Sequence, residues 1–329
     1  MLSRPTPDIV HVLSRLDGDI LILGVGGKMG PSLAMLAQRA ISEAGIEKRV
    51  IGVSRFSQPG LAEKLCRAGV ETIACDLMRP QALDALPNVP NVIYMVGTKF
   101  GTSGQHARTW AINTYLPGQV VSRFRHSRIV LFSSGNVYPL APVMGGGCTE
   151  ATSPAPIGEY GQSVLGRERI CEYFCGHFQV PGVILRLNYA VEARYGVLLD
   201  IASKVWAGEP IDLCMGHVNV IWQGDANAFA LCALLLAEVP LRVLNITGPE
   251  TVSVRSLALW FGRLLGRTPQ FEGSEQPDAL LSNAQEAHRL LGYPRVPLGQ
   301  AVHWVAEWIV AGGPVWGKPT QFHVRDGTF

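Results

Sequence analysis

The sequence predicts an α/β fold, a doubly wound parallel sheet with a smaller C-terminal α/β domain. Three observations predict it. Near-continuous apolar runs alternate with amphipathic segments over roughly the first 190 residues, as parallel strands covered on both faces by helices do. A glycine cluster, Gly24 to Gly30, stands where the first apolar run gives way to the first amphipathic segment. Hydrophobic residues make up 47% of the 329-residue chain and charged residues 16%, so the buried fraction is large.

After a short leader, the apolar runs Ile20–Leu23, Val50–Val53, Thr72–Ala74, Val92–Val96, Ile129–Phe132 and Val183–Leu187 read as strands. Between them Lys28–Ala44, Leu61–Ala68, Ala107–Phe124 and Tyr160–Phe178 carry helical spacing. Strands alternating with helices through right-handed crossovers wind a sheet with helices on both sides. Further on, Leu241–Ile246 reads as another strand, and Ala226–Ala237, Ser253–Leu265 and Leu298–Val310 as helices. Pro139–Pro156, with three consecutive glycines at Gly145 to Gly147, is expected to be a mobile loop. The tryptophans Trp206, Trp222, Trp260, Trp304 and Trp308 stand at apolar positions and are expected in the core.

Composition excludes several classes. Lys plus Arg minus Asp plus Glu is 28 − 26 = +2, and no dense basic block occurs, which argues against a nucleic-acid partner. Hydrophobicity excludes disorder. The apolar stretch Asp19–Gly27 is far shorter than the ~20 residues of a membrane span and lacks a cleavage pattern, so neither a membrane segment nor a signal peptide is expected. Seven cysteines, an odd count spread through periodic segments, read as reduced thiols of a cytoplasmic protein. Cys171 and Cys175 lie one helical turn apart near His177, but no second cluster at zinc-like spacing joins them, so core packing is expected and no metal.

The glycine turn carries chemistry. In Gly24-Val25-Gly26-Gly27-Lys28-Met29-Gly30, one glycine permits the tight turn. Another admits a pyrophosphate to the backbone, and a third allows close helix–strand packing. The phosphates then meet the positive end of the helix. This is a Rossmann-type arrangement. An acidic residue some 20 positions on would hold the adenine ribose. Here the second strand ends in Ser54, followed by Arg55. Without a carboxylate, and with a guanidinium able to grip a 2′-phosphate, the turn favours NADP, with NAD the alternative. Asp76, with Leu77 beside it, reads either as an adenine ligand or as a helix cap.

These motifs resemble an extended short-chain dehydrogenase/reductase of the NAD-dependent epimerase/dehydratase family. Gly24, Gly27 and Gly30 match its GxxGxxG; Val92–Gly97 is similar to its fourth strand, with Val96 and Gly97 beside the cofactor; Asn113 stands where the family keeps an asparagine. Phe132–Tyr138 is similar to the serine-bearing fifth strand, and Thr149–Ser163 to the approach to the catalytic tyrosine. The resemblance implies Ser134 and Tyr160 as catalytic residues, with Asn136 on the substrate and Tyr160 also against the cofactor.

The family pattern then asks for a lysine four residues after the tyrosine, to hold the nicotinamide ribose and lower the phenol pKa. The chain has Val164 there. Lys99, after the fourth strand, and Lys28, in the glycine turn, are candidate substitutes, with phosphate binding or solvation as their other readings. After the sixth strand, Asn188 is expected to touch cofactor, and Glu192, Arg194 and Tyr195 to bind substrate; a mutual Glu192–Arg194 ion pair is the competing reading. His217 is a candidate proton carrier or a structural histidine. Asp225 is expected to cap a helix or anchor a loop.

The resemblance implies a Rossmann domain over 1–187, with 218–247 returning to it, and a substrate domain over 188–329. It implies an NAD(P)-dependent oxidoreductase or epimerase acting on a hydroxyl or ketone of a sugar or sugar-derived small molecule. A homodimer through the helices at 107–124 and 160–178 goes with it. The competing reading, prompted by Val164, is a catalytically silent NADP-binding module.

Overall fold

Seven apolar runs become the strands of one sheet. A computed structural model of the chain describes residues 1–99 and 104–328. In chain order the strands are β1 (Ile20–Leu23), β2 (Val50–Ser54), β3 (Glu71–Ala74), β4 (Asn91–Tyr94), β5 (Arg128–Ser134), β6 (Gly182–Leu187) and β7 (Arg242–Ile246). They lie in the order β7-β6-β5-β4-β1-β2-β3. Pairing is parallel between β1 and β2, β1 and β4, β2 and β3, and β4 and β5, with Leu21 opposite both Ile51 and Val92. Strand order therefore reverses between β1 and β4, which opens a crevice beyond their carboxyl ends.

The chain divides into two units. The first comprises Met1–Ser133, Gln162–Arg186 and Asn227–Leu244, the second Ser134–Gly161, Leu187–Ala226 and Asn245–Phe329. Two boundaries differ from the sequence expectation: 134–161 joins the second unit, and the returning segment is 227–244 rather than 218–247.

In the first unit, Leu21, Leu23, Val53, Val92, Tyr94 and Leu131 from the sheet pack with Val120 and Val121 from the helical stretch 106–123 and with Phe124 just past its end. Cys171 and Cys175, in the helix Gly158–Phe178, belong to this core, and all seven cysteines are free thiols. Burial pushes the Cys175 thiol up to about 12, so it stays protonated at neutral pH. The leader is not loose. Thr6 accepts a hydrogen bond from Ile9 N and caps a helix, Pro7–Arg15, whose Ile9 and Leu13 are buried.

In the second unit, short ladders tie loops together: Ala141–Pro142 to Asp278–Ala279, His217–Val218 to Val252–Ser253, and Pro210–Asp212 to Gln270–Glu272. The segment expected to be a mobile loop is held by them. Cys148 N donates to Leu281 O at 2.9 Å, Asn283 N donates to Cys148 O at 2.8 Å, and Asn245 N donates to Glu150 Oε1 at 2.7 Å. Gly147, at φ +83°, makes this possible: a Cβ there would lie 2.8 Å from the Ser282 carbonyl carbon. Gly147 serves a close backbone crossing rather than flexibility. Trp222 is buried against Trp304, but Trp206, expected in the core, is exposed with Arg267 stacked on its ring. Among the described residues no helix is long and apolar enough to cross a membrane, and no cluster of three or more His, Cys, Asp or Glu stands ready for a metal.

Candidate functional site

The glycine turn closes β1 onto the helix Gly30–Ala44. Gly24 has φ +87°, and a Cβ on it would meet Val96 N at 2.9 Å. A Cβ on Gly26 would lie 2.3 Å from Ser54 Oγ, and one on Gly30 the same distance from Val25 O. Gly24 and Gly30 thus admit no side chain without moving backbone, and one at Gly26 would have to displace the Ser54 hydroxyl. Gly27 is exposed and donates its N–H to Gly24 O at 3.0 Å. The helix starts without a side-chain cap at Met29, so its first-turn N–H groups are not claimed from within by a capping side chain. Lys28 is half-buried in the same turn. The residues present fit a diphosphate.

At the end of β2, Ser54 Oγ accepts from Phe56 N at 3.3 Å, and Arg55 stands exposed beside it. After β3, Asp76 Oδ1 accepts from Met78 N at 3.2 Å and Leu77 is buried. Asp76 closes this local turn and does not cap the next helix, Pro80–Asp84, which has no side-chain cap.

Beyond β4, Thr98 and Asn113 bond reciprocally: Thr98 N donates to Asn113 Oδ1 at 2.9 Å, and Asn113 Nδ2 donates to Thr98 O at 3.0 Å. Asn113 Nδ2 also donates to Ser163 Oγ at 3.0 Å. The fully buried asparagine sits in a π-helical turn, Ala111–Tyr115, within the stretch expected to be plain α-helix. Such turns frequently mark functional positions. Lys99, in the same loop, is pulled down to about 8 by burial. Val164 is buried. One turn further on, Arg167 donates from Nε to Asn113 O at 3.1 Å, from Nη2 to Asn113 Oδ1 at 3.2 Å, and from Nη1 to Phe132 O at 2.6 Å. Its guanidinium lies 5.6 Å from the Tyr94 ring centroid. Beside it, Glu168 takes a bidentate grip from Arg186, at 3.0 and 2.7 Å, and accepts from Ser133 Oγ.

In the second unit, Ser134 Oγ donates to Asn136 Oδ1 at 2.9 Å and accepts from Asn136 N at 3.1 Å, so the two residues form one turn. Tyr160 is half-buried and lies close enough to Tyr195 to act on its ionisation, as does Tyr189. Burial pushes the phenols of Tyr189 and Tyr195 well above the ordinary tyrosine range, which keeps both as neutral donors. Tyr189 also has φ +41°, a strained conformation for a bulky residue.

Other expected contacts are committed elsewhere. Asn188 Nδ2 donates to Asn219 Oδ1 at 2.9 Å and to Leu280 O at 3.3 Å, a structural network rather than an open amide. Glu192 and Arg194 form the mutual pair, with Arg194 Nε 2.8 Å from Oε2 and Nη2 2.8 Å from Oε1. Arg194 further stacks on Trp316. His217 Nδ1 is buried without a hydrogen bond among the described residues. Asp225 anchors a loop by accepting from Val296 N at 3.0 Å, and burial raises its carboxyl against that bond.

The C-terminal tail joins the site without any motif in the sequence to mark it. Arg325 Nη1 donates to Cys214 O at 3.0 Å and to Asp278 O at 2.9 Å, and Nη2 pairs with the Asp278 carboxylate. Val324 and Gly327 thereby wall a small cavity that Asn136, Tyr138, Met215 and Leu280 line. Gly327 crosses Gly158 so closely that a Cβ on Gly158 would lie 2.6 Å from Gly327 O.

The sequence model of the NAD-dependent epimerase/dehydratase family matches residues 20–210, more than half of the chain. The chain belongs to that family. No curated protein sequence matches it. Among solved structures, it is similar to a UDP-glucuronic acid 4-epimerase variant from Bacillus cereus in complex with a fluorinated UDP-glucuronic acid and NAD. That match has 18% identity, covers 89% of this chain and 99% of that one, and has a TM-score of 0.73. It is also similar to MoeE5 in complex with UDP-glucose and NAD, at 20% identity, 90% and 99% coverage and TM-score 0.72. A third similar structure is UDP-glucose 4-epimerase from Thermotoga maritima with UDP-glucose, at 16% identity, 89% and 99% coverage and TM-score 0.72. At these identities the likeness shows the fold.

Proposed function

We propose that this chain is an NADP-preferring oxidoreductase of the epimerase/dehydratase type, acting on a hydroxyl or ketone of a sugar or sugar-derived substrate. The turn at Gly24, Gly26 and Gly30, where a Cβ would meet Val96 N, Ser54 Oγ and Val25 O respectively, carries the reading. A bound nicotinamide dinucleotide would supply the hydride acceptor and donor. Gly24, Gly26, Gly27, Lys28, Met29 and Gly30 would hold its diphosphate. Ser54 and Arg55 would receive the adenine ribose, Arg55 gripping a 2′-phosphate that a carboxylate would repel. Asp76 and Leu77 would border the adenine, with Val96, Gly97 and Asn113 bordering the nicotinamide side.

Ser134 and Tyr160 would donate hydrogen bonds to the reacting oxygen of the substrate, and Tyr160 would also carry its proton. Asn136, Tyr195 and His217 would orient the substrate; Glu192 and Arg194 would do so as a pair. Sugar nucleotides are the first substrates to try, because the similar structures are bound to UDP-sugars. A homodimer through the helical stretches 106–123 and 158–178 fits the exposed Trp110, Tyr115 and Tyr173 on them, at 36%, 57% and 63% exposure.

The test is incubation of purified protein with NADP⁺ or NAD⁺ and UDP-glucose or UDP-glucuronic acid, followed by proton NMR at the sugar carbons. An epimer or keto product that Tyr160→Phe abolishes supports the proposal. Saturable NADPH binding with no product across a broad keto-sugar panel, unchanged by Tyr160→Phe, supports a silent module instead. Val164 at the lysine position is the observation that favours that second reading.

A further inference from the structure

The family pattern places a cation four residues after the tyrosine, and this chain has a buried valine there. A different cation is present three residues later. Arg167 is 6% exposed, and its guanidinium has five N–H donors, of which three are used, on Asn113 O, Asn113 Oδ1 and Phe132 O. All three acceptors are neutral. Among the described residues no carboxylate pairs with it, because the neighbouring Glu168 is occupied by Arg186 and Ser133.

A buried guanidinium without a carboxylate is expensive, and the Tyr94 ring face, 5.6 Å away, with three neutral oxygens offsets that cost only in part. Its place indicates what completes the compensation. Arg167 bonds to Phe132 on β5, and its Nη2 would lie 2.9 Å from a Cβ on Gly97, just past β4. The glycine at 97 puts no side chain between that Nη2 and the loop leaving β4, beside the reversal of strand order, where ligands of such sheets bind. β2 and β3 lie on one side of the reversal and β4 and β5 on the other; the cofactor reading, with Ser54 and Arg55 at the end of β2, puts the adenosine on the former side.

We propose that Arg167 is the cofactor-facing cation of this chain, its two unused N–H groups binding the ribose hydroxyls on the nicotinamide side of a dinucleotide, in place of the lysine absent at 164. Asn113 acts as its positioning residue, holding the fork through its backbone and side-chain oxygens. Lys99 and Lys28 are not needed for this role. The proposal deepens the cofactor reading and rests on it.

The test titrates wild type, Arg167→Met and Arg167→Lys with three ligands by calorimetry: NADPH, ADP-ribose and ADP. ADP-ribose keeps the second ribose and ADP lacks it. Arg167→Met is expected to weaken NADPH and ADP-ribose about tenfold or more, the worth of a charge-assisted bond, with ADP unchanged. Arg167→Lys, which keeps charge without the fork, is expected to fall between, and it carries the comparison should Arg167→Met not fold. Equal losses for all three ligands would mean a structural role and would overturn the proposal, as would unchanged ADP-ribose affinity. Wild-type protein that binds none of the three overturns the cofactor reading itself, and this assignment with it.

Discussion

Arg167 holds Asn113 at two points, donating from Nε to its backbone oxygen at 3.1 Å and from Nη2 to its side-chain oxygen at 3.2 Å. The two residues are 54 positions apart. The pair joins the helix Gly158–Phe178 to a π-helical turn and positions the loop after β4 through Thr98.

Restoring the family lysine alone is expected to harm the protein. Val164 and Arg167 are three apart on one helix and both are buried, so Val164→Lys places a second cation beside an unpaired guanidinium. The expected loss is on the order of 3 kcal/mol, as for other uncompensated buried charges. Val164→Lys with Arg167→Val should recover most of it. Urea denaturation of the two single variants and the double variant measures the coupling, and additive losses would contradict it.

Glu168 and Arg186 form a buried ion pair, with side chains 0% and 4% exposed. Arg186→Met leaves the carboxylate uncompensated and is expected to cost about 3–5 kcal/mol. Glu168→Gln with Arg186→Met should cost less than the single change. Denaturation midpoints decide between them.

Lys99 gives a pH signature. Its pKa in the fold is lowered to about 8 from an ordinary 10.5, so between those values the folded state binds fewer protons than the unfolded one. Its contribution to stability is therefore unfavourable below about pH 8 and improves as pH rises towards about 10.5. The wild type should gain stability from pH 7 to pH 9.5 relative to Lys99→Met, measured by chemical denaturation at both. No difference between the two slopes would contradict the burial.

Much of the fold was legible in the sequence because local patterns encode it. β1 ends where the apolar run meets Gly24, and the helix after it begins at Gly30, two residues later than expected, since Lys28 and Met29 belong to the turn. Asn113 and Ser134 could be placed by motif. The π turn around Asn113 could not, because one extra residue in a helix leaves the apolar period nearly unchanged. The first helix is written locally, in the cap Thr6-Pro7 and in Ile9 and Leu13 four apart. Arg167 escaped notice because its partners, Asn113 and Phe132, are distant in sequence and are neutral oxygens with no motif of their own. Arg325 gave no signal because its partners, the Asp278 carboxylate and the Cys214 carbonyl, are distant in sequence.

The proposed coenzyme preference turns on Arg55. Being exposed at the end of β2 with no carboxylate at position 54, it is expected to supply the preference for a 2′-phosphate. Arg55→Ala should weaken NADPH about tenfold or more and leave NADH nearly unchanged, consistent with loss of a charge-assisted pair. Competitive titration of the two coenzymes reads the ratio; equal effects on both would contradict the assignment.

The most direct measurement is equilibrium titration of the purified protein with NADPH and NADH, followed by nicotinamide fluorescence, alongside Gly26→Leu. Saturable binding is expected, NADPH the tighter, with loss in Gly26→Leu, whose side chain would fill the turn. A protein that binds neither dinucleotide, or whose binding survives Gly26→Leu unchanged, would contradict it.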